Sequence, residues 1–287
     1  MKTVLVLGKG FIGSNLSSFF NEVDLEYEIY SKSMLDYTNT EKLAEFLDNN
    51  SKRFHCVINT SGYTGTPNVD GCEINKQECW KRNVIDTTNI VKVSNDFKLP
   101  VLQVGSGCIY NGQDKDYTEE DEPNFGLYSN DSSFYSKCKH ASEILLDNYC
   151  VYILRIRIPF TFKNVSKNYL TKILNYDNLI SEKNSVTSVT DLNNFLFRFL
   201  FILRDIPGGI YNVVNKSPIT SKEVVDIMKQ NCIENKNWNF IETSMLNTKA
   251  KRSNCTLSTK KIESLNLSLP NSYESIERDV KIFKNFI

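Results

Sequence analysis

Tyr135 and Lys139 stand four residues apart in Tyr135-Ser136-Lys137-Cys138-Lys139. On a helix that spacing places both side chains on one face. The Lys139 ammonium would then sit beside the Tyr135 hydroxyl and favour its phenolate. A phenol lowered toward neutrality is a proton donor for a ketone that is receiving hydride. The pair alone is weak evidence, because about one such match arises by chance in a chain of this composition. Its position gives it meaning. It lies one helix after an apolar strand that ends Val104-Gly105-Ser106-Gly107-Cys108-Ile109-Tyr110, and Ser106 can donate to the same carbonyl oxygen.

A second motif supplies a source of hydride. Gly8-Lys9-Gly10-Phe11-Ile12-Gly13 follows the first apolar run and opens a helical pattern. Gly8 makes the turn, Gly10 admits a pyrophosphate to the backbone, and Gly13 permits close helix–strand packing. The helix N-terminus, with Phe11 and Ile12 in its first turn, then faces the phosphates. The next strand ends Ile29-Tyr30-Ser31-Lys32-Ser33 without a carboxylate at its tip. Ser31 and Lys32 suit a 2′-phosphate, so NADPH is preferred over NADH; a change of register would bring Glu26 or Glu28 there instead. Thr60, Ser61 and Gly62 close the following strand with small residues suited to a loop beneath a cofactor, and Asn83 on the next helix is structural.

Around these groups, apolar runs alternate with amphipathic patterns. Strands are expected at Thr3–Leu7, Tyr27–Tyr30, Cys56–Asn59, Val101–Val104 and Cys150–Arg155, and helices at Phe11–Glu22, Thr40–Asn49, Asn75–Phe97 and Ser133–Asn148. Such alternation predicts an α/β fold, a Rossmann-type doubly wound parallel sheet, over residues 1–160. Residues 161–287 predict a smaller mixed α/β substrate-binding lobe, with the chain free to cross back. Helices are expected there at Tyr169–Asn175, Leu192–Arg204, Ser221–Cys232 and Ser272–Phe286, with short strands at Ile210–Val214 and Trp238–Ile241.

Composition narrows the partners. The chain has 34 basic and 34 acidic residues and no basic stripe, which argues against nucleic acid. Its apolar stretches are too short for a signal segment or a membrane span, so a cytoplasmic protein is expected. Eight cysteines without a CxxC pair, and only His55 and His140, predict neither a zinc site nor a disulfide framework.

The glycine motif, Ser106 and Tyr135/Lys139 resemble an extended short-chain dehydrogenase/reductase. Further motifs narrow the resemblance: Thr64-Gly65-Thr66-Pro67-Asn68-Val69-Asp70, Gly107-Cys108-Ile109, Pro123-Asn124-Phe125, Phe134-Tyr135-Ser136-Lys137, Leu154-Arg155-Ile156-Arg157-Ile158-Pro159, Leu170-Thr171-Lys172-Ile173 and Arg252-Ser253-Asn254. Together they are similar to the UDP-4-keto-6-deoxyglucose 3,5-epimerase/4-reductases of UDP-rhamnose synthesis.

That resemblance implies an NADPH-dependent enzyme in which Cys108 and Lys172 are the acid/base pair. Carbons 3 and 5 flank the C4 ketone, so donors at Ser106 and Tyr135 stabilise an enolate as well as the later alkoxide. Lys172 needs a depressed pKa to act as a base, which desolvation in a closed pocket supplies. Arg252 is expected at the pyrophosphate, with Thr64 and Asn168 against the substrate. Where the family has Leu-Asp this chain has Leu257-Ser258, and serine still serves as a helix cap.

The resemblance further implies a homodimer through the helices at Asn75–Phe97 and Ser133–Asn148. With one glycine motif and one Tyr–Lys pair, a separate 4,6-dehydratase is expected to supply the substrate. Three rivals remain: a dTDP-4-keto-rhamnose 4-reductase without epimerase activity, a GDP-fucose-type epimerase/reductase, and a non-catalytic NADP-binding regulatory subunit. The first does not need Cys108 with Lys172. The second uses a histidine where Lys172 stands. The third does not need an intact Ser106, Tyr135 and Lys139.

Overall fold

A computed structural model describes residues 3–180, 185–194, 200, 205–235, 238–242, 245 and 248–287. Among them, six strands form one parallel sheet: β1 (Thr3–Leu7), β2 (Tyr27–Tyr30), β3 (Phe54–Asn59), β4 (Val101–Ser106), β6 (Val151–Ile156) and β10 (Gly209–Asn212). Their spatial order is β10-β6-β4-β3-β1-β2. The chain leaves β1 toward one edge and returns to β3 on its other side. That reversal opens a crevice at the carboxyl ends of β1 and β3, where open α/β sheets take their ligands.

The sheet is buried on both faces because its side chains alternate. Val4 and Val6 enter one apolar cluster with Leu16 and Phe20, whereas Leu5 and Leu7 enter another with Leu43, Leu47 and Ile90. The first cluster is lined by α1 (Phe11–Glu22) and the second by α2 (Thr40–Asn50). Continuous apolar runs are what a doubly covered parallel strand requires.

The helix expected over Asn75–Phe97 has internal breaks. A short α3 (Asp70–Ile74) precedes α4 (Lys76–Trp80), a π-helical turn at Lys81–Ile85 and α5 (Asp86–Asp96). π turns of this kind concentrate at functional sites. The Tyr135 helix, α6 (Phe134–Leu146), starts where Ser133 accepts from the Ser136 N–H.

The second half of the chain returns to the sheet. β10 pairs with β6, and Leu192, Leu200, Ile206 and Tyr211 join the β1 cluster. A third cluster belongs to the smaller lobe. It gathers Leu170 and Ile173 of α7 (Tyr169–Asn175), Val224 and Met228 of α8 (Ser221–Gln230), and Ile276 and Phe283 of the C-terminal helix Ser272–Phe283. Short parallel pairs complete this part: β7 (Pro159–Phe160) with β9 (Thr190–Asp191), and β8 (Asn178–Ile180) with β11 (Asn239–Ile241). The strand pair β5 (Gly112–Tyr117) and β12 (Cys255–Leu257) has no counterpart among the expected strands, because β5 reads Gly-Gln-Asp-Lys-Asp-Tyr and carries no apolar alternation. Most of the helix expected at Leu192–Arg204 lies outside the described residues, and positions 192–194 form a turn.

Candidate active site

The glycine motif occupies the crevice between β1 and β3. Gly8 has φ +108°, and a Cβ there would meet the Ser61 nitrogen at 2.7 Å; a Cβ on Gly13 would meet the Gly8 carbonyl oxygen at 1.9 Å. A Cβ on Gly10 would instead stand in open space. The first turn of α1 has neither a side-chain cap nor an acidic residue, so its N–H groups suit an anion. The side chains of Phe11 and Ile12 pack against the β1 cluster, leaving their backbone at the crevice. Thr60 ties the β3 loop to this turn, donating to the Gly8 carbonyl at 2.7 Å.

A cleft of about 210 Å³ runs from Gly8 and Gly10 past Thr60, Ser61 and Gly62 to Lys32, Arg82 and Asp86. Lys32 thus lines this cleft, while Ser31 is bonded to the Ser33 hydroxyl at 2.8 Å. Arg82, which no local signal in the sequence marks, adds a second cation from the π turn. Neither alternative carboxylate reaches the tip of β2: Glu28 is held by Arg53 and Tyr30, and Glu26 takes a bond from Thr3.

At the end of β4, the Ser106 hydroxyl stands close enough to the Tyr135 phenol to act on it, and it accepts from the Cys108 N–H at 3.2 Å. Burial pushes that phenol above its ordinary range, the Cys108 sulfur adds to the rise, and Ser106 opposes it. Lys139 is buried, and its ammonium donates to the Val104 carbonyl at 2.9 Å. Burial holds it below the usual lysine range, against the pull of Glu143. The helical spacing brings both side chains to the β4 end, but the ammonium goes to the strand carbonyl and the phenol is pushed up, contrary to the expected lowering of Tyr135 by Lys139. Ser136 supplies a fastening the sequence did not reveal: its hydroxyl donates to the Cys108 carbonyl at 2.7 Å, pinning that turn to α6.

Lys172 lies half-buried on α7. Burial lowers its pKa, and Lys167 and Arg252 lower it further. Lys167 donates to the Thr64 hydroxyl at 3.2 Å, and Arg252 Nη2 lies 3.1 Å from the Asp70 carboxylate. The other amino group of Arg252, Nη1, is buried without a hydrogen-bond partner. Arg252 also lines a cavity of about 540 Å³ with Asn111, Asn124, Phe125 and Lys251. Lys172, Lys167 and Arg252 gathered near the single Asp70 carboxylate make a setting for phosphate oxygens.

Two expectations are corrected. Asn168 does not face a substrate: it is fully buried and caps α7, accepting from Leu170 and Thr161 and donating to the Thr161 and Lys163 carbonyls. All its polar capacity goes to holding the chain. Ser258 is a marginal cap, reaching the Lys260 N–H only at 3.4 Å, while Thr259 occupies the N-cap of the helix Lys260–Ser264. Among the described residues, no group of His, Cys, Asp or Glu is arranged to hold a metal ion, and no helix is long and apolar enough to cross a membrane.

Residues 1–284 match the model of the RmlD substrate binding domain. The chain is 31% identical over 273 residues to the Arabidopsis thaliana trifunctional UDP-glucose 4,6-dehydratase/UDP-4-keto-6-deoxy-D-glucose 3,5-epimerase/UDP-4-keto-L-rhamnose-reductase RHM1, covering 90% of this chain and 39% of that protein. It therefore spans about two fifths of that relative. It is 30% identical over 271 residues to the Arabidopsis bifunctional dTDP-4-dehydrorhamnose 3,5-epimerase/dTDP-4-dehydrorhamnose reductase, covering 90% of this chain and 86% of that one. In fold it is similar to the L780 UDP-rhamnose synthase from Acanthamoeba polyphaga mimivirus, with a TM-score of 0.86 at 24% identity over 98% of this chain and 99% of that one. It is likewise similar to dTDP-4-dehydrorhamnose reductase from Bacillus anthracis in complex with NADP, with a TM-score of 0.79 at 18% identity over 96% and 98% of the two chains. With residues 1–284 matching the family model, the chain belongs to the RmlD substrate-binding-domain family, as an extended short-chain dehydrogenase/reductase.

Proposed function

We propose that the chain is an NADPH-dependent enzyme that epimerises UDP-4-keto-6-deoxyglucose at C3 and C5 and reduces it at C4, giving UDP-L-rhamnose. The observation that carries this reading is the crowding of Ser106, Tyr135 and Cys108 at one strand end. A plain reductase needs the first two and has no use for a half-exposed thiol beside them.

The residues fit the cofactor. Gly10 leaves open space before an uncapped helix N-terminus, and Lys32 with Arg82 gives two cations for a 2′-phosphate. When bound, NADPH supplies the hydride for C4. Ser106 and Tyr135 would donate to the C4 oxygen, first as an enolate and then as an alkoxide. The phenol then gives up its proton to that oxygen. Cys108 and Lys172 would exchange protons at the flanking carbons. Lys172 suits the task because burial, with Lys167 and Arg252 nearby, lowers its pKa and eases passage from ammonium to amine. Arg252 and Lys167 would hold the diphosphate, and a 4,6-dehydratase would act upstream. The names of the RHM1 and L780 relatives support UDP.

The test is turnover with NADPH and UDP-4-keto-6-deoxyglucose in heavy water, followed by NMR. Deuterium at C3 and C5 of UDP-rhamnose is expected, and its loss in Cys108→Ala and Lys172→Ala. Oxidation of NADPH with both C–H positions unchanged would leave a plain 4-reductase. Competition between UDP and dTDP substrates reads the nucleotide.

A further inference from the structure

We infer that His140 is a positioning residue for the substrate, fixing the turn 126–132 as one wall of the cavity that receives the nucleoside diphosphate. The inference rests on the reading of Arg252 as a diphosphate group and extends it to the rest of the nucleotide.

The cavity of about 540 Å³ beside Arg252 takes Phe125, Ser129 and Asp131 of its lining from the segment between β5 and α6. The start of that segment is secured. The Phe125 N–H donates to the Ile109 carbonyl at 2.9 Å, and Asn124 accepts from the Asn111 N–H at 2.9 Å and donates to its carbonyl at 2.7 Å. Beyond Phe125 the bonds turn inward: the Ser132 hydroxyl donates to the Gly126 and Ser129 carbonyls at 2.8 and 3.1 Å. Such bonds give the turn its shape and leave its place on the protein open.

Among the described residues, two polar contacts join this turn to the rest of the protein. One is the ion pair of Asp131 with Lys251, whose side chains are both exposed. Pairs of that kind contribute little in water. The other is the Leu127 N–H, which donates to His140 Nδ1 at 3.0 Å. His140 is buried on α6, one residue after Lys139.

The fit around this ring is close. A Cβ on Gly126 would stand 2.2 Å from Nδ1, so the main chain of the turn lies directly against the imidazole. The Tyr128 ring meets it edge-on, with centroids 5.8 Å apart. Nδ1 accepts only in the neutral ring that carries its proton on Nε2. Burial keeps the ring neutral by lowering its pKa, and Arg155 acts the same way against Glu143 and Glu122.

One helix thus carries Tyr135 for the chemistry and His140 for the wall, so both ends of the substrate are located from a single rigid element. Loss of the His140 bond frees the wall and reaches substrate binding first. Lys139 is held by the Val104 carbonyl, and the cofactor cleft is built from other segments.

Two variants test this. His140→Leu fills the space without an acceptor, and His140→Asn returns an acceptor near the place of Nδ1. UDP and dTDP are titrated by calorimetry, kcat and KM are measured with NADPH and UDP-4-keto-6-deoxyglucose, and hydrogen exchange is followed in the peptide spanning Leu127. In the unaltered protein the Leu127 amide is expected to be protected. His140→Leu should remove that protection and raise both the UDP Kd and the KM for the sugar nucleotide by about tenfold, with kcat and the KM for NADPH nearly unchanged. His140→Asn should restore much of each. An unprotected Leu127 amide in the unaltered protein overturns the assignment without any variant, and so does an unaltered protein that binds neither UDP nor dTDP. Unchanged UDP affinity in folded His140→Leu overturns it too, as does a fall in kcat at constant KM. If binding shifts as expected while C3 and C5 keep their protons in heavy water, His140 keeps its role and the epimerase reading fails.

Discussion

Asn83 grips the backbone of Tyr63 from both sides, accepting from its N–H at 3.1 Å and donating to its carbonyl at 2.8 Å. Asn83 is buried in the π turn, and the loop it holds carries Thr60 to Gly62 beneath the glycine motif. Asn83→Ala orphans both backbone groups and should cost about 2 kcal/mol in chemical denaturation. Because the loop lines the cofactor cleft, the KM for NADPH should rise as well. A variant with normal stability and normal KM would show that the loop is held by other contacts.

The glycines separate folding from binding. Gly13→Ala drives a methyl into the Gly8 carbonyl, so helix α1 must move off the strand and the melting temperature should fall by several degrees. Gly10→Ala meets nothing in the protein and should melt normally, yet lose cofactor affinity by about tenfold because its methyl projects where phosphate would lie. Thermal scans paired with NADPH fluorescence titrations distinguish the two effects.

Lys32 and Arg82 line one end of the cleft. Removing either charge, as Lys32→Ala or Arg82→Ala, should weaken NADPH by about tenfold and leave NADH nearly unchanged, with a shallower dependence on salt. Equal losses for both cofactors would place the 2′-phosphate elsewhere.

Asp279 predicts a pH dependence of stability. Burial, aided by the charge of Asp191, raises its carboxyl to about 7, against the pull of Arg278. The folded state therefore keeps a proton that the unfolded chain releases near pH 4. Stability from this group is present at low pH and is lost as pH rises from about 4 through 7. Asp279→Asn cannot ionise, so the fall in melting temperature between pH 5 and pH 8 should be smaller than in the unaltered protein. An equal fall in both would assign it to other groups.

Much of the site is legible in the amino-acid sequence because its signals are local. The spacing of Gly8, Gly10 and Gly13, the β1 run before it, and the four-residue interval from Tyr135 to Lys139 each follow from the geometry of one strand, turn or helix. Such geometry is fixed by residues a few positions apart, and the sequence states it directly.

The rest depends on which distant segments meet. Asn168 carries no local mark that all its hydrogen bonds turn inward, and β10 reads alike as an edge of the small lobe or as the sixth strand of the main sheet. Lys32 is visible at the end of its strand, whereas Arg82 reaches the same cleft only because a π turn rotates it there. Arg155 and Arg157 look equivalent in sequence, and folding sets one against Glu143 and the other against Cys108. Those partners lie 12 and 49 residues away, and no periodicity in the chain specifies a contact across such a distance. The sequence determined the elements and the chemistry they carry, and tertiary packing decided which charge faces which sulfur.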